Sequence, residues 1–358
     1  MDKLKKYAAS TAGRDRLLSF GIVIIAYAVV QAMVLGDSLS SAMQGLLVPI
    51  CAYIIMAVSL NLTVGILGEL SLGHAGFMSV GAFSGIVVTT SLADAVPSDM
   101  VRLILAIIVG AICAAIAGVI VGVPVLRLKG DYLAIVTLAF GEIIKNIINV
   151  LYVGKDASGL HFSILEQKFE LAEGGKMIIN GPMGVSGVQK LSTFTSGFVL
   201  ILITLFIVLN LINSRAGRAI MSVRDNKIAA DSIGISTTNY KLMAFVISAA
   251  FAGMAGALYA MNYSTITAAK FDFNTSILIL VFVVLGGLGN VWGSIIAATL
   301  LTLLPELLRA VNSYRMLIYA ILLIAMMLFN NSPLKARLLE KRGMKQMAKL
   351  EKSEKGGA

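Results

Sequence analysis

Long apolar runs separated by short polar connections are the main pattern along this chain. A transmembrane helix needs about 20 apolar residues. Uninterrupted runs close to that length or longer occur at Leu17–Leu35, Leu46–Leu67, Val101–Val123, Tyr132–Val153, Phe194–Leu211 and Tyr240–Met261. The pattern therefore predicts an all-α polytopic membrane protein.

Three further apolar runs are interrupted or short. Leu72–Thr90 contains several glycines, Met316–Asn330 is short, and Thr275–Leu308 is too long for one span. The long run also contains the sequence Gly286-Gly287-Leu288-Gly289-Asn290, which breaks a regular helix. Dividing it there predicts about ten transmembrane helices, some of them in glycine-broken segments.

Basic residues are concentrated before the first predicted span and after the last one. Because cytoplasmic segments of membrane proteins are enriched in lysine and arginine, both termini are predicted to be cytoplasmic, which requires an even number of crossings. The predicted organisation is a basic N-terminal segment 1–16, a transmembrane domain 17–331 and a basic tail 332–358. Within that domain, 154–193 is an outer loop and 213–239 a cytoplasmic loop.

The composition agrees with this reading. Hydrophobic residues make up 58% of the 358 residues and charged residues 13%, with a net charge of +10. Soluble domains are about 45–50% apolar and about 25% charged, so a soluble enzyme, a nucleic-acid binder and a disulfide scaffold are all disfavoured. We expect contact with a lipid bilayer and no nucleic-acid partner.

Motifs for catalysis and for cofactor binding are missing from the sequence. It lacks the G-x-x-x-x-G-K-[ST] loop that cradles nucleotide phosphates. His74 and His161 are too far apart to form a helix-borne metal pair, and no Cys/His cluster accompanies them. We therefore expect no catalytic residue, metal site or cofactor in this chain, and transport is the leading class of function.

Glu142 is the most informative charged residue. It follows Asp131 by eleven residues, about 16 Å at the rise of an α-helix, which places it near the middle of the bilayer. Lys145, Asn146 and Asn149 follow at helical spacing and extend the same polar face. A carboxylate at this depth faces a partner or a cavity. Two hypotheses remain: a structural Glu–Lys pair, or the wall of a water-lined pathway.

Glycine-broken segments provide a second set of candidates. The runs Gly65–Gly76 and Gly286–Gly293 interrupt helical hydrogen bonding, which lipid does not tolerate unless protein or water surrounds the freed groups. Paired breaks of this kind are typical of substrate sites in transporters. Alternatively, the small residues allow close helix packing, as at Gly81/Gly85 and Gly118/Gly122, and His74 is an interior histidine. The translocation-pathway candidates are Asn61, Ser71, His74, Glu142, Asn146 and Asn290.

The loop 213–239 is predicted to contain a short helix. Ser222-Val223-Arg224-Asp225 has the form of a capping box, Ile228–Ile233 can form two turns, and Gly234 supplies a left-handed stop. Such a helix is either an ordinary interfacial helix or a docking element for a cytoplasmic partner. The candidate coupling residues are Arg218, Arg224, Asp225, Ala229, Ala230 and Gly234.

Four motifs in this order resemble the M-type permease subunit (LivM type) of the branched-chain amino acid ABC importers, the Liv family. They are G-E-L-S-L-G-H-A-G-F at Gly68–Phe77, L-K-G-D-Y-L-A-I-V-T-L-A-F-G-E at Leu128–Glu142, G-P-M-G at Gly181–Gly184, and V-L-G-G-L-G at Val284–Gly289. The resemblance extends from about residue 46 to residue 330. Ala229-Ala230-x-x-x-Gly234 also resembles the broader importer signature E-A-A-x-x-x-G, with Ile228 in place of the glutamate.

The resemblance implies a mostly helical permease subunit in a bacterial or archaeal cytoplasmic (inner) membrane that performs no covalent chemistry. Its implied partners are a homologous second permease of the LivH type, two cytoplasmic ATPases that hold ATP and Mg²⁺, and an external or periplasmic solute-binding protein. The implied solutes are branched-chain amino acids.

Other functions fit the same residues. One is an ABC permease for a different small solute, such as urea, an amide or a sugar. Another is an ion-coupled secondary transporter that uses Glu142 as a proton or cation site. A membrane scaffold leaves the polar residues within the predicted spans unexplained.

Overall fold

The structure is a computed structural model that describes residues 21, 23–36, 39–126, 132–156, 159–165 and 175–309, and isolated positions between 314 and 328. The predicted terminal segments 1–16 and 332–358, and most of the last predicted span, lie outside the described residues.

The described chain is mainly helical. Its helices are α1 (Val23–Leu35), α2 (Ser41–Asn61), α3 (His74–Ser91), α4 (Asp99–Val125), α5 (Tyr132–Asn149), α6 (Phe194–Asn213), α7 (Arg215–Asp225), α8 (Lys227–Ser232), α9 (Thr237–Ala260), α10 (Phe273–Gly286) and α11 (Val291–Leu307). Five helical stretches are long and apolar enough to cross a membrane, and α1, α10 and α11 are shorter apolar helices. The prediction of a mostly helical chain with several membrane-length helices is confirmed.

The all-α prediction is wrong in the loop that was predicted to lie outside the membrane. The span predicted to end at Val153 ends at Asn149, and the next residues form β1 (Leu151–Asp156). β1 pairs antiparallel with β2 (Gly159–Ile164) and β3 (Lys176–Asn180), in the order β2-β1-β3. Hydropathy alone does not distinguish a short apolar strand from the end of an apolar helix.

A second, two-stranded sheet joins distant parts of the chain. β4 (Val185–Ser186) pairs antiparallel with β5 (Thr265–Ile266), which follows α9. A side chain at Gly184 would overlap the Ile266 carbonyl. The G-P-M-G motif therefore lies where the loop 154–193 is joined to the segment that follows α9.

Helices α3, α4 and α9 form a close-packed centre in which glycines allow the backbones to touch. A Cβ built on Gly253 of α9 would overlap the Gly110 carbonyl and the Ala114 side chain of α4. Gly81 of α3 lies against the backbone of the same Gly253. The predicted packing role of the small-residue motifs is confirmed, since they also contact α9 at Gly85, Gly118 and Gly122.

Both predicted helix breaks are present. α2 continues into a π-helix (Leu62–Leu67) that ends at Gly68, whose φ of +80° is in the left-handed region. Regular structure resumes at His74, the first residue of α3. Between α10 and α11, Gly287 and Gly289 have φ values of +95° and +79°. Glycine adopts such conformations without the steric cost that a Cβ imposes.

The capping box predicted at Ser222 is wrong. Ser222 lies inside α7, and its hydroxyl donates to the Ala219 carbonyl at 2.8 Å. The residue that caps α8 is Asn226, whose side-chain oxygen accepts from the Ala229 N–H at 3.0 Å. Ser214 already caps α7, so Ser222 lies in the last turns of that helix and does not start a new one.

Candidate functional site

The two glycine breaks are in direct contact. The side-chain oxygen of Asn61 accepts a hydrogen bond from the Gly289 N–H at 2.8 Å, and its NH₂ group donates to Ser294 Oγ at 3.1 Å. Asn61 is fully buried. A Cβ built on Gly65 would overlap the backbone nitrogen of Gly289. The breaks that follow α2 and α10 therefore form one structural unit, and Asn61 is its polar link.

Asn290 has a local role beside that contact. Its side-chain oxygen accepts from the Gly293 N–H at 3.1 Å, which makes it the N-cap of α11. Side-chain oxygens at this position satisfy backbone N–H groups that have no partner within the helix. Asn290 thus starts α11 immediately after the break.

His74 and Ser71 lie at the other end of the first break. The Ser59 hydroxyl donates to the Met56 carbonyl at 2.9 Å, so the contact of 2.8 Å between His74 Nε2 and Ser59 Oγ is a bond that the imidazole donates. His74 is therefore a hydrogen-bonded interior histidine, as the alternative reading predicts. Ser71 is also buried, and its hydroxyl has no hydrogen-bond partner among the described residues.

The first two resemblance motifs meet where α3 crosses α5. A Cβ on Gly73 would overlap the Thr137 carbonyl, and one on Gly76 would lie 2.8 Å from the Gly141 Cα. The Thr137 hydroxyl accepts from the Leu72 N–H at 3.1 Å, which satisfies a backbone group of the broken segment. Thr137 is not among the residues predicted from the sequence, where its only signal is its place in the second motif.

Glu142 and Lys145 form an ion pair on α5, with side chains 33% and 21% exposed respectively. Asn146 is exposed on the same helix. Glu142 also borders a cleft between α5, the segment before α3 and the start of α10. The other lining residues are Leu72, Leu138, Gly141, Phe271, Asp272, Phe273 and Ser276. Glu142 and Asn146 are therefore accessible, whereas Asn61, Ser71 and His74 are buried.

Helix α7 reaches the first break through Arg224. Its Nη1 donates to the Gly65 carbonyl at 3.2 Å. On the opposite side of Gly68, Glu69 forms an ion pair with Lys241 of α9, and both side chains are largely buried. Arg224 was predicted as a coupling residue, whereas the Glu69–Lys241 pair was not predicted, although Lys241 stands out in the sequence as a charge at the start of an apolar helix.

The short helix α8 and its C-cap residue expose two isoleucines and bury one of the two alanines. Ile228 is 79% exposed and Ile233 is 74% exposed, whereas Ala230 is only 2% exposed. Ala229 and Gly234 are exposed as expected, and Gly234 has the predicted left-handed φ, +82°. The expectation that Ala230 forms the outer contact surface is corrected, because its side chain points into this chain.

Arg218 also has an internal partner. Its Nη1 donates to the Asn213 carbonyl at 3.1 Å, at the C-terminal end of α6. A cation at this position satisfies a carbonyl that lacks a helical partner. Arg218 therefore stabilises the junction between α6 and α7.

At the sheet end of the molecule, Lys155 of β1 joins the loop that follows α3. Lys155 Nζ donates to the Ser91 carbonyl at 2.9 Å and to Asp94 Oδ2 at 2.7 Å. The hydrogen bond from Lys155 to the Asp94 carboxylate, reinforced by the lysine charge, lowers the pKa of Asp94 below its usual value.

In the described ranges, no group of three His, Cys, Asp or Glu side chains is placed to hold a metal ion.

The fold is that of a polytopic helical membrane protein with broken helices. It has membrane-length helices, two helix breaks in contact with each other, and the α7–α8 pair attached to one of these breaks. Residues 42–327 match the sequence family described as branched-chain amino acid transport system / permease component. The chain belongs to that family.

Two relatives are high-affinity branched-chain amino acid transport system permease proteins LivM. The chain is 36% identical over 295 residues to that of Salmonella typhimurium and 35% identical over 295 residues to that of Escherichia coli. Each alignment covers 77% of this chain and 66% of the relative. The nucleoside ABC transporter permease protein NupC of Lactococcus lactis subsp. cremoris is 26% identical over 222 residues, 58% of this chain and 64% of that protein. No solved structure matches the chain significantly.

Proposed function

We propose that this chain is a transmembrane permease subunit of an ATP-driven ABC importer and forms part of the translocation pathway for branched-chain amino acids. The observation that carries the proposal is its similarity to the two LivM proteins over most of its length. The contact between two broken helices supports a transport role, since discontinuous helices are a recurrent element of transporter substrate pathways.

The proposed topology has ten spans and both termini in the cytoplasm of a bacterial or archaeal cell. The permease domain is 17–331, flanked by the basic segments 1–16 and 332–358. Single cysteines at Ser158 and Ser353, introduced into a chain whose native cysteines have been replaced, should react with an impermeant thiol reagent from opposite sides of the membrane. Labelling of both from the same side would contradict this topology.

We place the pathway wall on the exposed face of α5. Glu142, Lys145 and Asn146 are partly or fully accessible in the single chain, and charged groups within a membrane face protein or water because lipid solvates them poorly. A homologous second permease (LivH type) would cover this face and enclose the pathway. Asn61, Ser71, His74 and Asn290 would hold the broken segments that rearrange during transport.

The partner proposed for the α7–α8 pair is a cytoplasmic ATPase. Exposed Ile228 and Ile233 on a capped helix suit an apolar cleft, and Lys227 and Asp231 can form polar contacts around it. Two such ATPases would hold ATP and Mg²⁺, and an external solute-binding protein would deliver the solute. ATP binding and hydrolysis on the partners would then switch access to the pathway.

Uptake by proteoliposomes that contain the whole complex tests the solute and the energy source together. We expect ATP-dependent uptake of leucine, isoleucine and valine that exceeds uptake of urea or a nucleoside. The relative named as a nucleoside permease makes nucleosides the second candidate. For an ion-coupled carrier, supported by the Glu142–Lys145 pair, uptake would survive without ATP and collapse with an ionophore.

A further inference from the structure

We infer that Arg224 is a positioning residue that transmits movement of the α7–α8 pair to the glycine break at Gly65–Gly68. The inference rests on the proposed docking of α8 to an ATPase. It assigns to this side chain a role inside the permease, beyond any contact with the partner.

Arg224 is held against the break by two kinds of contact. Its Nη1 donates to the Gly65 carbonyl at 3.2 Å. Its aliphatic stem fills the space beside Gly68, where a built Cβ would lie 2.5 Å from Arg224 Cγ. Because Gly68 has no side chain, the arginine packs directly on the backbone at the residue where the π-helix ends.

Asp225 fixes the direction of the guanidinium group. Its Oδ1 accepts hydrogen bonds from Arg224 Nε at 3.0 Å and from Nη2 at 2.8 Å. With those N–H groups engaged, Nη1 remains directed at Gly65. The planar fork of arginine can satisfy both acceptors at once, whereas the single ammonium group of lysine is a point charge.

A separate apolar cluster joins the same elements. Ile220 of α7 is fully buried with Leu62 and Leu67 of the π-helix and Ala244 of α9. The π-helix is therefore packed directly against α7, so a displacement of α7 reaches the break through side chains already in contact.

The residue that follows Gly68 is bound to a different helix, α9. The Glu69–Lys241 ion pair ties the residue after Gly68 to α9, while Arg224 ties the residues before it to α7. Relative movement of α7 and α9 would thus act across Gly68. Since Gly65 touches Gly289, the same movement would reach the break between α10 and α11.

The test uses the complete complex in proteoliposomes, with Arg224→Gln as the variant. We expect the ATPases to remain bound and solute-stimulated ATP hydrolysis to persist, while the ATP consumed per solute imported rises by about tenfold, within the usual range of coupling between sites. Arg309→Gln is the matched control. Arg309 is an exposed arginine whose partner is Glu306, three residues earlier, and its loss should leave the ratio unchanged.

A parallel fall in hydrolysis and uptake, or no change in either, would overturn the inference. Loss of the bound ATPase would also overturn it, since Arg224 would then act in docking. Failure of the wild-type complex to couple ATP to uptake would instead count against the proposed function. If Arg224→Gln does not accumulate, Arg224→Lys keeps the charge and should raise the same ratio, because a single ammonium nitrogen lacks the rigid fork whose separate nitrogens bind Gly65 and Asp225.

Discussion

Asn61 and Gly289 are joined by a hydrogen bond of 2.8 Å from a backbone N–H to a buried amide oxygen, across 228 positions of sequence. The bond satisfies a backbone group that the break after α10 leaves without a helical partner. A buried polar group without a partner is costly, so this bond fixes the relative position of the two breaks.

Asn61→Ala should lower the free energy of unfolding by about 1–3 kcal/mol, the usual cost of leaving a buried hydrogen-bonding group without its partner. Unfolding of the purified protein can be followed through Trp292, the only tryptophan, which lies in α11 beside the contact. Asn274→Ala removes an exposed amide bound to Asp272 and should change stability little. Equal stability of the two variants would show that the buried link contributes nothing.

Gly253→Ala should destabilise the centre formed by α3, α4 and α9. The new methyl group would overlap Gly110 and Ala114, and overpacking of this kind costs about 1–3 kcal/mol. A lower melting temperature in detergent is the expected result. Gly45→Ala is the control, because a Cβ there has no neighbour within 4 Å. A Gly253→Ala protein that melts with the wild type would contradict the close packing.

Ile228→Asp and Ala230→Glu should fail in different ways. Ile228 is exposed and Ala230 is buried, so the first change alters a docking surface and the second places a charge inside the permease. Ile228→Asp should leave the permease melting temperature unchanged but prevent co-purification of the ATPase. Ala230→Glu should lower the melting temperature of the permease alone. If Ile228→Asp still binds the ATPase and supports full uptake, α8 is not the docking element.

Glu142→Gln should reduce uptake without preventing assembly, because it keeps the side-chain shape but removes a charge from the accessible face of α5. A purely structural pair with Lys145 would behave differently. In that case, the double variant Glu142→Gln/Lys145→Met should recover both stability and uptake, since coupled residues show non-additive effects. Recovery of stability with uptake still impaired is the result we expect, measured by melting and by transport.

The apolar helices and their glycine breaks can be predicted from the sequence because both depend on local properties. Hydropathy marked the helices that became α2, α4, α6 and α9 to within a few residues. Gly68, Gly287 and Gly289 marked the breaks because glycine adopts positive φ freely. The Glu142–Lys145 pair was also predictable, since helical spacing brings residues three apart together.

The joining of the breaks and the connection of α7 to them depend on the tertiary structure. Nothing local to Gly65 indicates that it touches Gly289 or that its carbonyl receives Arg224, because such contacts follow from how distant helices cross. The orientation of α8 is decided in the same way. Its packing buries Ala230 and exposes Ile228, since the rotation of a two-turn helix about its axis is set by the neighbours against which it rests.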